Sequence, residues 1–242
     1  MRTLRKAGRV LRLFTAEAPE WTLSEVARAE GISTSGAHDL LDGLVQTGLL
    51  SRVDRGRYRL GPFVATLYRV LTDTSRLTAA ARPVLSKLVE DHGETAQLLV
   101  LDQVRLVQID GIEGTRSLRV ARGLLAQIEP HKSPAGMLHL AVATPARQAA
   151  YVAAHAEART PLLPKERWQA HLEALAGQGF AEGALSTERD ISCSAALVRG
   201  HSGAAQAVLA LTVPTARHEI QPRAFRAVTV AAAARISEAL AR

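Results

Sequence analysis

The sequence predicts an α+β fold: an N-terminal winged helix-turn-helix, a linker helix and a larger α+β domain of sensor type. Three observations carry this. Helix start and stop signals followed by a basic hairpin fall within residues 21–61, the apolar spacing mixes alternating and helical runs beyond residue 79, and a helical run closes the chain. With 242 residues, 47% of them hydrophobic, the chain is long enough to fill two cores. The expected boundaries are residues 1–61 for the winged helix-turn-helix, 62–78 for the linker and 79–242 for the second domain.

Ahead of the motif, Leu4, Ala7, Leu11 and Phe14 recur at helical spacing, with Arg2, Arg5, Arg9 and Arg12 on another face. Thr22 followed three residues later by Glu25 is a capping box, which starts a helix at Leu23 with Val26 and Ala27 inward. Gly31 supplies the positive φ that stops this helix. Ser33 then N-caps a second helix, which turns Ala37, Leu40, Leu41 and Leu44 inward. Gly48 closes it, and strands over residues 50–53 and 58–60 flank the turn Asp54-Arg55-Gly56, forming a wing. Pro62 suits a first helical turn, and Phe63, Val64, Leu67, Tyr68 and Leu71 trace one side of a linker helix. Polar residues 72–78 interrupt that pattern, after which Pro83, Val84, Leu85, Leu88 and Val89 start a helix of the second domain.

Strands are expected over residues 96–101, 105–109, 118–121, 193–198 and 205–213. The last two are joined by the turn Arg199-Gly200-His201-Ser202-Gly203. Helices are expected after Pro134, Pro145 and Pro164 and over residues 222–241. Helices covering an antiparallel sheet make an α+β domain.

The second helix of the motif shows Thr34, Ser35, His38, Asp39 and Asp42 on its outer face, and because in a helix-turn-helix the N-terminal part of that helix enters the major groove, Thr34, Ser35, His38 and Asp39, with the cap Ser33, are the expected DNA contacts. Arg52, Arg55, Arg57 and Arg59 on the wing are placed to meet phosphates. Double-stranded DNA is therefore the expected partner, and a net charge of +7 suits a polyanion.

Other classes find little support. One cysteine excludes an intramolecular disulfide, no apolar run approaches membrane-spanning length, and the first residues do not read as a signal peptide, so a cytoplasmic location is expected. The histidines are scattered without H-E-x-x-H or a cysteine pair, so no metal is expected. Gly177, Gly179 and Gly183 lack dinucleotide spacing and no Walker A pattern is present, so no cofactor is expected. Gly200-His201-Ser202-Gly203-Ala204 approximates a nucleophile elbow but lacks its final glycine. A serine hydrolase using Ser202 is a distant alternative, and no catalytic residues are assigned.

The run Gly31-Ile32-Ser33-Thr34-Ser35-Gly36-Ala37-His38-Asp39-Leu40-Leu41, together with Gly48-Leu49-Leu50 and Tyr58-Arg59-Leu60-Gly61-Pro62, resembles the DNA-binding domain of IclR-family bacterial transcriptional regulators. Gly93-Glu94-Thr95, Pro130-His131, Ser133, Gly136, Leu138, Gly179-Phe180, Cys193 and Ala195 resemble the family's effector domain, which is similar to GAF and PAS sensor folds. The resemblance implies a dimeric or tetrameric regulator whose affinity for its operator responds to a small effector, an organic acid or aromatic metabolite. It places effector contacts at His131, Ser133, Pro134, Ala135 and Gly136, at Cys193 and Ala195, and at Thr212. Asp39 stands where the family usually carries a basic residue, Met137 where it carries lysine, and Pro134 removes an amide donor. The alternative is a ligand-independent DNA-binding protein whose second domain only oligomerises.

Overall fold

The computed structural model describes residues 2–15, 17–102, 105–121, 125, 128–155 and 165–242. Contacts divide the chain into two compact units, Met1–Thr74 and Ser75–Arg242.

Unit 1 contains helices Arg2–Leu11 (α1), Leu23–Glu30 (α2), Thr34–Gln46 (α3) and Pro62–Asp73 (α4). Strands Glu20–Thr22 (β1), Leu50–Val53 (β2) and Arg57–Leu60 (β3) form an antiparallel sheet in the order β1-β3-β2. The capping box is present: the Thr22 backbone N–H donates to Glu25 Oε2 at 2.7 Å, and Thr22 Oγ1 accepts from the Glu25 N–H at 3.3 Å. Gly31 ends α2 at φ +61°, and Ser33 caps α3 by accepting from the Gly36 N–H at 3.2 Å. Val26, Leu40, Leu41 and Leu44 pack with Leu50, Tyr58, Val10 and Phe14 in one core.

Two features differ from expectation. The first helix stops at Leu11, so Phe14 reaches the core from the following turn while Val10 is the buried helical residue and Leu4 stays exposed. Strand β1 was not anticipated, since three residues are too few to show alternation; it is recognisable only through its partner, with Trp21 opposite Tyr58. At the wing tip Arg55 and Gly56 adopt φ +63° and +70°, two consecutive left-handed residues whose backbone turn matches the twist of the paired strands.

Unit 2 is built on a five-stranded antiparallel sheet of order β5-β4-β8-β7-β6. Its strands are Thr95–Asp102 (β4), Arg105–Ile112 (β5), Phe180–Ala184 (β6), Ile191–Arg199 (β7) and Ala205–Pro214 (β8). Helix Arg76–His92 (α5) and the C-terminal helix pack on one face with Leu98, Leu209 and Leu211; the C-terminal helix is Pro222–Ala241 (α10), after the short Thr215–His218 (α9). Helices Pro134–Ala141 (α6), Pro145–Ala154 (α7) and Lys165–Gln178 (α8) lie on the other with Leu99, Cys193 and Ala210, following the two-residue period of the strands. The helix expected after Pro164 begins at Lys165; Pro164 itself lies outside the described residues.

Corrections fall at three places. The helix expected from Pro83 starts a full seven residues earlier, at Arg76, because Ser75 caps it by accepting from the Thr78 N–H at 3.2 Å and Thr78 and Ala81 are buried; Pro83 sits inside it. Residues 118–121 are not a strand. That segment is held as a strap: Thr95 Oγ1 donates to the Val120 carbonyl at 2.5 Å and accepts from the Gly114 N–H at 2.9 Å, while Arg217 Nη2 donates to the Leu118 carbonyl at 2.7 Å. Side chains satisfy backbone groups that would otherwise demand a sheet partner. Behind the strap, Glu94 is fully buried and paired with Arg217, through two bonds of 2.7 and 2.9 Å, and with Arg116 at 3.3 Å. Edge strand β6 was missed because Gly183 and Glu182 break its apolar alternation.

Candidate nucleic-acid interface and ligand cavity

Helix α3 owes its orientation to Ala37, Leu40, Leu41 and Leu44, all buried, which leaves Ser33, Thr34, Ser35, His38 and Asp39 exposed. These five share the exposed N-terminal half of α3 and its cap. Ser33 is engaged by its capping bond and by Ser35 Oγ at 3.2 Å, whereas His38 Nδ1 lies 3.8 Å from Asp39 Oδ1.

The wing arginines divide by partner. Arg52 Nη2 donates to Asp42 Oδ1 at 3.2 Å and its guanidinium lies 5.5 Å from the centre of the Tyr58 ring. Arg57 is paired with Glu20 at 3.3 Å and with Glu25 at 4.0 Å, tying the wing to β1 and α2. Glu25 itself is held below the usual carboxylate range, first by the hydrogen bond from the Thr22 backbone. Arg55 projects from the tip, exposed. Sequence spacing treats Arg52, Arg55 and Arg57 alike; the carboxylates that occupy two of them come from separate elements.

In unit 2 a cavity of about 510 Å³ opens between the segment preceding α6, helix α8 and edge strand β6. His131, Ser133 and Pro134 line it, joined by Met137, Leu175 and Arg226. The other residues singled out from sequence lie elsewhere. Ala135, Cys193 and Ala195 are packed in the core beneath α6, and burial pushes the Cys193 thiol up to about 12, so it stays protonated. Gly136 is pressed against the backbone: a Cβ there would stand 2.2 Å from the Pro130 carbonyl oxygen. Thr212 accepts from Gln97 Nε2 at 3.2 Å and donates to the Thr95 carbonyl at 3.2 Å, inside the sheet.

Sequence reasoning did not find Leu175, Glu182 or Arg226 and named Phe180 only within the family likeness; these four come from α8, the unrecognised β6 and the last helix. Glu182 and Arg226 form an ion pair, and the Arg226 guanidinium lies 4.9 Å from the centre of the Phe180 ring. Lys132 is paired with Glu129, whose carboxyl is lowered first by that hydrogen bond. His131 is lowered by burial, against the raising influence of Glu129.

Ser202 sits in the exposed turn between β7 and β8, followed by a strand rather than a helix, so the nucleophile-elbow reading is set aside. Among the described residues no group of three or more His, Cys, Asp or Glu is placed to hold a metal, and no helix is long and apolar enough to cross a membrane.

A winged helix-turn-helix unit followed by an α+β unit with a cavity beside the edge of its sheet is the architecture of a two-domain regulator. Residues 3–54 match the IclR helix-turn-helix domain and residues 70–238 the bacterial transcriptional regulator IclR C-terminal domain; the chain belongs to the IclR family. It is 29% identical over 119 residues to the HTH-type transcriptional regulator KipR of Bacillus subtilis, covering 49% of this chain and 47% of that protein. It is 31% identical over 121 residues to the acetate operon repressor of Salmonella typhimurium, covering 49% and 44%. These matches span about half the length of either relative. The fold is similar to that of an IclR homolog from Microbacterium hydrocarbonoxydans, crystallised in complex with 4-hydroxybenzoate, with a TM-score of 0.76, 23% identity and 98% of each chain covered.

Proposed function

We propose that the chain is a DNA-binding transcriptional regulator whose operator affinity responds to a small organic effector bound in unit 2. The observation that carries the reading is the exposed polar N-terminal half of α3 beside a wing that presents Arg55, on a fold whose relatives are named transcriptional regulators. In this reading residues 1–61 contact DNA, 62–78 couple the two parts and 79–242 sense and oligomerise, in the cytoplasm. Thr34, Ser35, His38 and Asp39 reach base edges, whereas Arg55 meets phosphate; Arg52 and Arg57 contact the backbone only from within their ion pairs. Ser33 orients α3.

The effector reading draws support from the cavity and from the named ligand of the Microbacterium protein. His131, Ser133 and Pro134 are the contacts we retain. Ala135, Gly136, Cys193, Ala195 and Thr212 do not line this cavity and are not retained as contacts.

Selection of bound fragments from the organism's own genome tests the reading. Recovery of a palindromic site near a small set of genes is the expected result, since a two-fold dimer reads two half-sites. Arg55→Ala should weaken binding to all sequences and flatten the log K against log salt slope by roughly 0.9 per lost phosphate contact. No enrichment of any fragment by the full-length protein would overturn the DNA assignment.

A further inference from the structure

The buried face of α3 decides which side chains stand opposite it. A helix advances about 100° per residue, so the stripe furthest from the buried Ala37, Leu40, Leu41 and Leu44 is Ser35, Asp39, Asp42 and Gln46. Asp42 is engaged through both oxygens: Gln46 Nε2 donates to Oδ2 at 2.9 Å and Arg52 Nη2 donates to Oδ1 at 3.2 Å. Asp39 is not. Its side chain is 86% exposed, and the one basic group within 4 Å among the described residues is His38, whose Nδ1 stops 3.8 Å from Oδ1, too far for a hydrogen bond. A bare carboxylate therefore stands in the middle of the face that the helix-turn-helix turns toward the major groove.

The chemistry of the groove says what such a group can meet. An ionised carboxylate accepts hydrogen bonds and donates none. Guanine shows two acceptors in the major groove and thymine an acceptor and a methyl group, so either would desolvate the carboxylate and give nothing back. Adenine sets its amino group beside the acceptor N7, whereas cytosine presents its N4 amino group as its only polar group there. We infer that Asp39 accepts a hydrogen bond from the N4 amino group of a cytosine at one fixed position of the operator and excludes the other three bases from that position. This rests on the reading of α3 as the recognition helix and adds to it the base that one side chain selects. The charge also acts against wrong sequences: facing a polyanion, Asp39 weakens every complex that lacks the amino donor, so much of the discrimination is a penalty on mismatched DNA.

Binding-site selection followed by titration of single duplexes, both with the full-length protein, tests it. Wild type should require cytosine at one position. Asp39→Ala should lose that requirement and keep the rest of the motif, while Asp39→Asn, whose amide matches adenine N6 and N7, should move the position toward adenine. Between duplexes that differ only at this base pair, wild type should discriminate roughly five- to 150-fold and Asp39→Ala less than about twofold. A change in folding would move both duplexes together, so the ratio isolates the contact. N4-methylcytosine, which still pairs with guanine but has lost its groove-facing proton, should cost wild type most of this discrimination and leave Asp39→Ala indifferent. A wild-type motif with no required cytosine, an Asp39→Ala protein that keeps full discrimination at every position, or a wild type indifferent to N4-methylation would each overturn the inference while leaving DNA binding in place. No enriched fragment at all would overturn the DNA reading itself, and this inference with it.

Discussion

At the scale of the residue, close backbone contacts and buried groups set the largest effects. Gly136→Ala places a methyl 2.2 Å from the Pro130 carbonyl oxygen, and because the obstacle is backbone the segment holding His131 has to move. Denaturant unfolding should show a loss of about 1–3 kcal/mol, the range for overpacking. His139 is buried on α6 and lowered to about 4 from 6.5, chiefly by burial. Its folded form resists a proton that the unfolded chain accepts, so its contribution is complete above pH 6.5 and is lost as pH falls toward 4. The loss is about 3 kcal/mol over that window, and His139→Leu should flatten the stability profile there. Arg55 and Arg57 should separate as well: Arg55→Ala changes DNA binding at constant stability, whereas Arg57→Ala also lowers stability through Glu20 and Glu25.

At the scale of the element, the helix-turn-helix was legible because each boundary is written in local chemistry. Thr22→Ala removes the cap of α2 and should cost about 1 kcal/mol, seen as a lower unfolding midpoint. The helices Pro134–Ala141, Pro145–Ala154 and Pro222–Ala241 are marked by proline at the first turn, and the β7–β8 hairpin by its Gly-flanked turn. What escaped was defined by partners distant in sequence. β1 is a strand because β3 pairs with it, and residues 118–121 leave the sheet because Glu94, Thr95 and Arg217 hold them. The cavity was legible only in part: family likeness pointed to His131, Ser133 and Pro134, which line it, and to Cys193 and Thr212, which do not, while the rest of the wall belongs to α8, β6 and Arg226, which no local pattern connects.

For the whole molecule, α4 presents an exposed apolar face: Phe63, Leu67, Tyr68, Val70 and Leu71 are between 42% and 58% exposed. A face of this kind fits association with a second copy. Leu67→Glu with Leu71→Glu should shift sedimentation toward the monomer at micromolar concentration and abolish paired half-site footprints. Unchanged mass would rule this face out as a contact between copies.

The sheet order of unit 2 also bears on synthesis. Strand β4 pairs with β8, Thr95 facing Thr212, so its inner edge stays open until residues 205–214 have also been made. Residues 1–74 need only near neighbours and are complete early. While residues 205–214 are still to be made, the open edge of β4 is available to pair with another chain, the hazard of an unpaired strand.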